Sequence, residues 1–107
     1  MRDYSKPFYD LGELTAAFNG ICKRIGMENF CCSSVMPLLG ECVSSLAKSI
    51  GVDIAPTGDI GTAGINLQQL IDAIIEKELA TKEELRSFID AELLTIPKNP
   101  LINFFEY

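Results

Sequence analysis

The chain has no histidine in 107 residues, which removes the side chain most suited to moving protons near neutral pH. A serine or cysteine nucleophile would then depend on a lysine or an N-terminal amine as its base. Ser33, Ser34, Ser44 and Ser45 lie close to cysteines in sequence, but serines on the polar side of a helix are ordinarily just solvated. The sequence points away from an enzyme, and no cofactor is expected.

Paired thiols are also missing. The four cysteines are Cys22, Cys31, Cys32 and Cys42, with no Cys-x-x-Cys among them, whereas a structural zinc site needs four donors converging at about 2.3 Å. If residues 30–50 form one helix, Cys31 and Cys42 share a side but stand about 16 Å apart along the axis. That is too far for one ion. The same wheel groups Cys31, Cys32 and Cys42 with Val35, Leu38, Leu39 and Val43, and buried cysteine behaves as a small hydrophobe. No secretory leader is legible near the start, so the thiols are expected reduced and the chain cytoplasmic. The competing reading is a thiol-based metal or redox protein using Cys31, Cys32 and Cys42.

Positive charge is scarce: nine Lys and Arg face fifteen Asp and Glu, a formal charge of −6. Duplex binding requires a dense basic stripe, so direct nucleic-acid binding is not expected. The acidity is uneven. Up to Asp53 there are five basic and six acidic residues, and after it four and nine. Such a field favours a basic partner, or simply keeps the chain soluble. A further reading is an acidic decoy that presents Asp72, Glu76, Glu83, Glu84 and Asp90 to a nucleic-acid-binding protein. Two acids stand out on the helical wheel, because Glu78 and Glu92 fall within apolar arcs and must reach water or a cation such as Arg24.

Neither nucleotide fingerprint is present. Gly58, Gly61 and Gly64 fit no phosphate-loop spacing, and no Lys or Arg lies between Lys48 and Lys77 to neutralise a phosphate. They read as a turn-rich connector. Prolines and glycines also interrupt every apolar stretch before it reaches the roughly 20 residues of a membrane span.

What the chain does have is 48% hydrophobic residues at helical spacing. Leu11, Leu14, Phe18, Ile21, Cys22 and Ile25 share one arc, with Asp10 placed to cap its start and Gly26 its end. Around Pro37 either a helix begins or a longer one kinks; in both cases Leu38, Leu39, Cys42, Val43, Leu46 and Ile50 share a face that Gly51 stops. Asn66 with Gln69 and Thr81 with Glu84 resemble reciprocal capping pairs, ahead of Leu67, Leu70, Ile71, Ile74 and Ile75, and of Leu85, Phe88, Ile89 and Leu93. The spacing therefore predicts helices at 10–26, 30–50, 66–80 and 82–94, a loop at 52–65 and a tail at 95–107. The last two helices are expected to form an αα-hairpin. The fold class is all-α, a compact four-helix bundle in one domain.

A domain this small hides only about two-thirds of its surface. Leu101, Ile102, Phe104, Phe105 and Tyr107 form the densest apolar group in the chain, after Pro97 and Pro100, and Leu94 points away from its own helix's arc. With Glu92, these are the expected partner-binding residues. The function expected is a non-enzymatic protein-binding module, an adaptor, small inhibitor or assembly factor, that engages a protein partner or a second copy of itself.

Overall fold

The structure, a computed structural model, describes residues 4–28, 30 and 35–96. Among them the chain forms four α-helices and no strand: α1 (Leu11–Arg24), α2 (Met36–Ser49), α3 (Ile60–Glu76) and α4 (Lys82–Leu93). They enclose one apolar cluster as an all-α four-helix bundle.

Helix starts follow from short polar side chains. Asp10 accepts from the Glu13 N–H at 3.1 Å, and Asp59 accepts from the Thr62 N–H at 3.1 Å. Thr81 and Glu84 form a reciprocal capping box. Helix α2 begins instead with Val35 at its cap and Pro37 in its first turn, where the missing N–H has no partner to lose. The 30–50 helix is thus corrected to a start at Met36.

Three helices end in one motif. After α1, Gly26 N–H donates to Lys23 and Met27 N–H to Cys22; after α2, Gly51 donates to Lys48 and Val52 to Ala47; after α3, Glu78 donates to Ile75 and Leu79 to Ile74. Each is a Schellman close with its C′ residue in the left-handed region, at φ +76° for Gly26, +84° for Gly51 and +58° for Glu78. Glu78 is therefore exposed outside the helix rather than inside an apolar arc. A β-carbon costs about 1 kcal/mol in that conformation, so Glu78→Gly is expected to raise the urea midpoint by a corresponding amount. An unchanged or lower midpoint would contradict the left-handed close.

The glycine-containing stretch holds the largest correction. Helix α3 starts at Ile60, six residues before Asn66, because Asp59 supplies the cap. Asn66 instead donates its side-chain amide to the Ala55 carbonyl at 2.9 Å, tying the preceding strap to the helix. The helix also stops at Glu76, not residue 80. Glycine in a helix interior costs about 1 kcal/mol, and close packing explains its presence. A β-carbon on Gly64 would sit 1.9 Å from the Phe8 carbonyl oxygen.

Packing follows these close approaches. The backbone of α4 at Ile89 passes 2.8 Å from where a Gly20 β-carbon would be, Gly12 lies beside Ile96, and Arg24 pairs with Glu84, so α1 and α4 run antiparallel. The 77–81 turn thus carries α4 onto α1, and the α3–α4 hairpin is replaced by this pairing. Residues 52–59 return along α2, bringing Thr57 against Gly40 and Gly58 against Pro37, while Gly51 lies beside Lys77. Both ends of α2 therefore match those of α3, and the two run side by side in the same direction. Phe8, Leu14, Phe18, Ile21, Leu39, Leu46, Leu67, Leu70, Ile74, Leu85 and Ile89 are fully buried between them, with no polar or charged side chain among the buried residues described.

The capping box carries a pH dependence. The Thr81 backbone N–H, then the Thr81 side chain, hold the Glu84 carboxyl below its ordinary value of 4.5. The folded group is the stronger acid, so its contribution is complete above 4.5 and fades as pH falls through the lowered value. Thr81→Ala is expected to cost about 1 kcal/mol at neutral pH and to flatten the loss of stability on acidification. Urea melts at pH 7 and on the acid limb check both.

Candidate protein-interaction site

Because apolar side chains close the interior, the chemistry available to a ligand lies on the surface. The large apolar side chains left exposed are Tyr9, Val35, Leu38, Ile60, Ile65, Leu79, Phe88 and Leu94. Three of them, Tyr9, Leu38 and Ile60, lie on or beside the first turns of α2 and α3. Pro37 touches Gly58, and the Tyr9 ring reaches within 4.0 Å of a β-carbon built on Gly61. Tyr9 and Ile60 adjoin Gly61, 50% and 41% exposed, whereas Leu38, 48% exposed, stands on the side of α2 away from the strap.

Two of these exposures depart from the sequence expectation. Leu38 is half-exposed because Gly40, two residues on and on the opposite side of α2, takes the strap. Phe88 sits on the flank of α4 because Leu85 and Ile89 take the central positions against α1.

A narrow cleft of about 100 Å³ lies between α3 and α4, floored by Ile71, Ile75, Leu85 and Ile89 and edged by Gln68, Asp72, Lys82 and Arg86. Tyr4 closes one side. Its hydroxyl donates to the Asp90 carboxylate, and Arg86 stacks over its ring with 5.0 Å to the centroid. This volume suits a single apolar side chain.

Leu101, Ile102, Phe104, Phe105 and Tyr107 lie outside the described residues, as do Cys31 and Cys32. Leu94 is described and is 87% exposed, in keeping with its place off the apolar arc. Glu92 is 15% exposed and pairs with Lys23, while Arg24, its expected mate, pairs with Glu84. Leu94 and Glu92 are neighbours at the end of α4. Glu92 is held within the chain, and Leu94 is presented to solvent.

Cys22 is buried in the apolar cluster, its thiol 3.9 Å from the Phe30 carbonyl, and Cys42 is partly buried against the same cluster. No group of three potential metal ligands occurs among the described residues. Of the acids named for a decoy, Asp72, Glu76 and Glu83 face solvent. Glu84 is tied to Thr81 and Arg24, and Asp90 to Tyr4.

Sequence reasoning passed over Tyr9, Ile60 and Ile65. Ile60 and Ile65 sat in a stretch read as loop, where an apolar residue carries no face. The signal that could have placed them was Asp59 followed by Thr62, a capping pair as good as the one chosen at Asn66. Comparison of the chain with family models, curated proteins and solved structures returned no match. No helix among the described residues is long and apolar enough to cross a membrane.

Proposed function

We propose that this chain is a non-enzymatic protein-binding module that docks a protein partner through exposed apolar side chains, in a cytoplasmic setting. The observation that carries the reading is the combination of a filled apolar core with large hydrophobic side chains left outside it. Leu94 is 87% exposed, and Tyr9, Leu38 and Ile60 are about half-exposed, the apolar surface that a partner would cover. The sequence adds Leu101, Ile102, Phe104, Phe105 and Tyr107 as further anchors of the type that dominates interface energies.

An adaptor, inhibitor or assembly factor uses such a surface without chemistry of its own. The excess of acid in the second half biases it toward basic partners, chiefly through association rate.

Affinity capture with the tagged chain, at low and high salt, tests this. The expected result is a retained companion, or self-association visible in the size of the purified chain, that survives high salt and is lost from Phe104→Ser/Phe105→Ser or Leu94→Ser variants. Binding that collapses with salt and ignores these substitutions would favour the acidic decoy. Stoichiometric zinc or iron, or one hyper-reactive thiol, would favour the cysteine reading.

A further inference from the structure

Helices α3 and α4 follow one another through the 77–81 turn, yet α4 packs chiefly on α1, and α3 on α2 and α1. The consequence is the cleft of about 100 Å³ between them, floored by Ile71, Ile75, Leu85 and Ile89. An unfilled gap over apolar side chains forfeits the contacts that a packed interior makes. The lead-in closes one side of it.

Residues 4–8 reach from one wall of this cleft to the other. At the α3 wall Phe8 is fully buried, and its carbonyl oxygen lies 1.9 Å from where a β-carbon on Gly64 would be. At the α4 wall Tyr4 is held by its side chain. Its hydroxyl donates to the Asp90 carboxylate, and the guanidinium of Arg86, one turn earlier on α4, lies 5.0 Å from the centroid of its ring. The Tyr4 and Phe8 rings meet edge to face, their centroids 6.3 Å apart with 80° between the planes.

The two attachments differ in kind. Phe8 is fixed by burial of a whole ring and by backbone packed against backbone, which yield only when the bundle itself does. Tyr4 is half-buried, and the bond that ties it to α4 has modest net strength because water competes for both groups. The weaker end is the one that covers the cleft.

We infer that the lead-in is a clasp: Tyr4 swings on the Phe8 anchor, shutting the α3–α4 cleft while its hydroxyl is bound to Asp90 and uncovering Ile71 when that bond is released. Both states keep the same core, because the Phe8 ring and the packing of α4 on α1 stay in place. Release is a local opening, far cheaper than unfolding, and populates a minor state of the native chain. Access to the apolar floor is thus set by one hydrogen-bonded pair. The clasp belongs to the chain alone and requires no partner.

Thiol labelling of the full chain, mapped peptide by peptide, reads the released fraction, because a buried thiol reacts only when the structure around it opens. Ile71→Cys puts the thiol in the cleft, where the native residue is 7% exposed; Val43→Cys, at a 2% exposed position on α2, reports loosening of the whole bundle. Tyr4→Phe keeps the ring and removes the tie. In the Ile71→Cys chain it is expected to raise the labelling rate about tenfold, and Asp90→Ala is expected to do the same. The two together are expected to do no more than either alone, since they break one bond. The rate at Val43→Cys is expected to stay unchanged. An unchanged rate at position 71 would make Tyr4 a fixed cover, an equal rise at both positions would mean general loosening, and effects that multiply in the double variant would mean no shared bond. Each of these overturns the inference.

Discussion

Phe18→Ala is expected to remove about 3–5 kcal/mol of stability, the usual range for truncating a fully buried phenylalanine. Phe18 is 0% exposed in the middle of α1 and belongs to the apolar cluster shared by all four helices. Deleting the ring loses its transfer free energy and leaves a cavity, because surrounding helices relax only in part. A chain this small has only a few kcal/mol to spare, so the variant is expected to be largely unfolded at 37 °C. Denaturant melts followed by circular dichroism measure this, and a loss below about 1 kcal/mol would show that Phe18 is not at the centre of the core.

The second large effect reverses an ordinary rule. In a solvent-exposed helix interior, glycine to alanine gains up to about 1 kcal/mol. At Gly64 the added carbon would lie 1.9 Å from the Phe8 carbonyl oxygen and 2.9 Å from its carbon. Both are backbone atoms, so the lead-in must move as a whole, and Phe8 with its fully buried ring moves with it. Gly64→Ala is expected to cost about 3 kcal/mol, at the upper end for overpacking. Gly40→Ala meets the Thr57 carbonyl oxygen at 1.8 Å and is expected to behave alike. Gly61 is the internal control, since its nearest neighbour is the Asp59 carboxylate at 3.6 Å, an ordinary contact. Gly61→Ala is expected to be neutral or stabilising. If Gly61 and Gly64 respond alike, the lead-in does not cross α3 as described.

These glycines also show where sequence reading runs out. The apolar arcs of α1 and α3, those of α2 and α4 apart from Leu38 and Phe88, the capping residues Asp10 and Thr81, and the stops at Gly26 and Gly51 were legible, because each depends on neighbours within a turn or two. Gly58, Gly61 and Gly64 read as a loop by local propensity. The helix through the last two is opened by the Asp59 cap, and the feature that local propensity does not show is the distant crossing of Phe8 over Gly64. The same holds for Glu78, which adopts a glycine conformation that nothing local announces. Pairing of α4 with α1 rather than α3 depends on Gly20 admitting the backbone of Ile89, a contact across most of the chain.

For the interaction surface, the sequence supplied Leu94 through its position off the arc. It missed Tyr9, Leu38 and Ile60, because their exposure is set by which neighbour the strap and lead-in choose to cover. Glu92 was legible as an acid needing a mate, but one residue separates Lys23 from the partner expected, Arg24. On a helix that step is about 100°, enough to send Arg24 to Glu84 instead.

The most direct test is capture of a protein companion by the full chain and by a Leu38→Ser/Ile60→Ser/Leu94→Ser variant whose melting temperature matches it. The expected result is a companion, or a second copy, held in fixed proportion by the parent chain and lost by the variant. No companion for either chain, or equal retention by both, would contradict the idea that the apolar residues left outside the core are there to meet a partner.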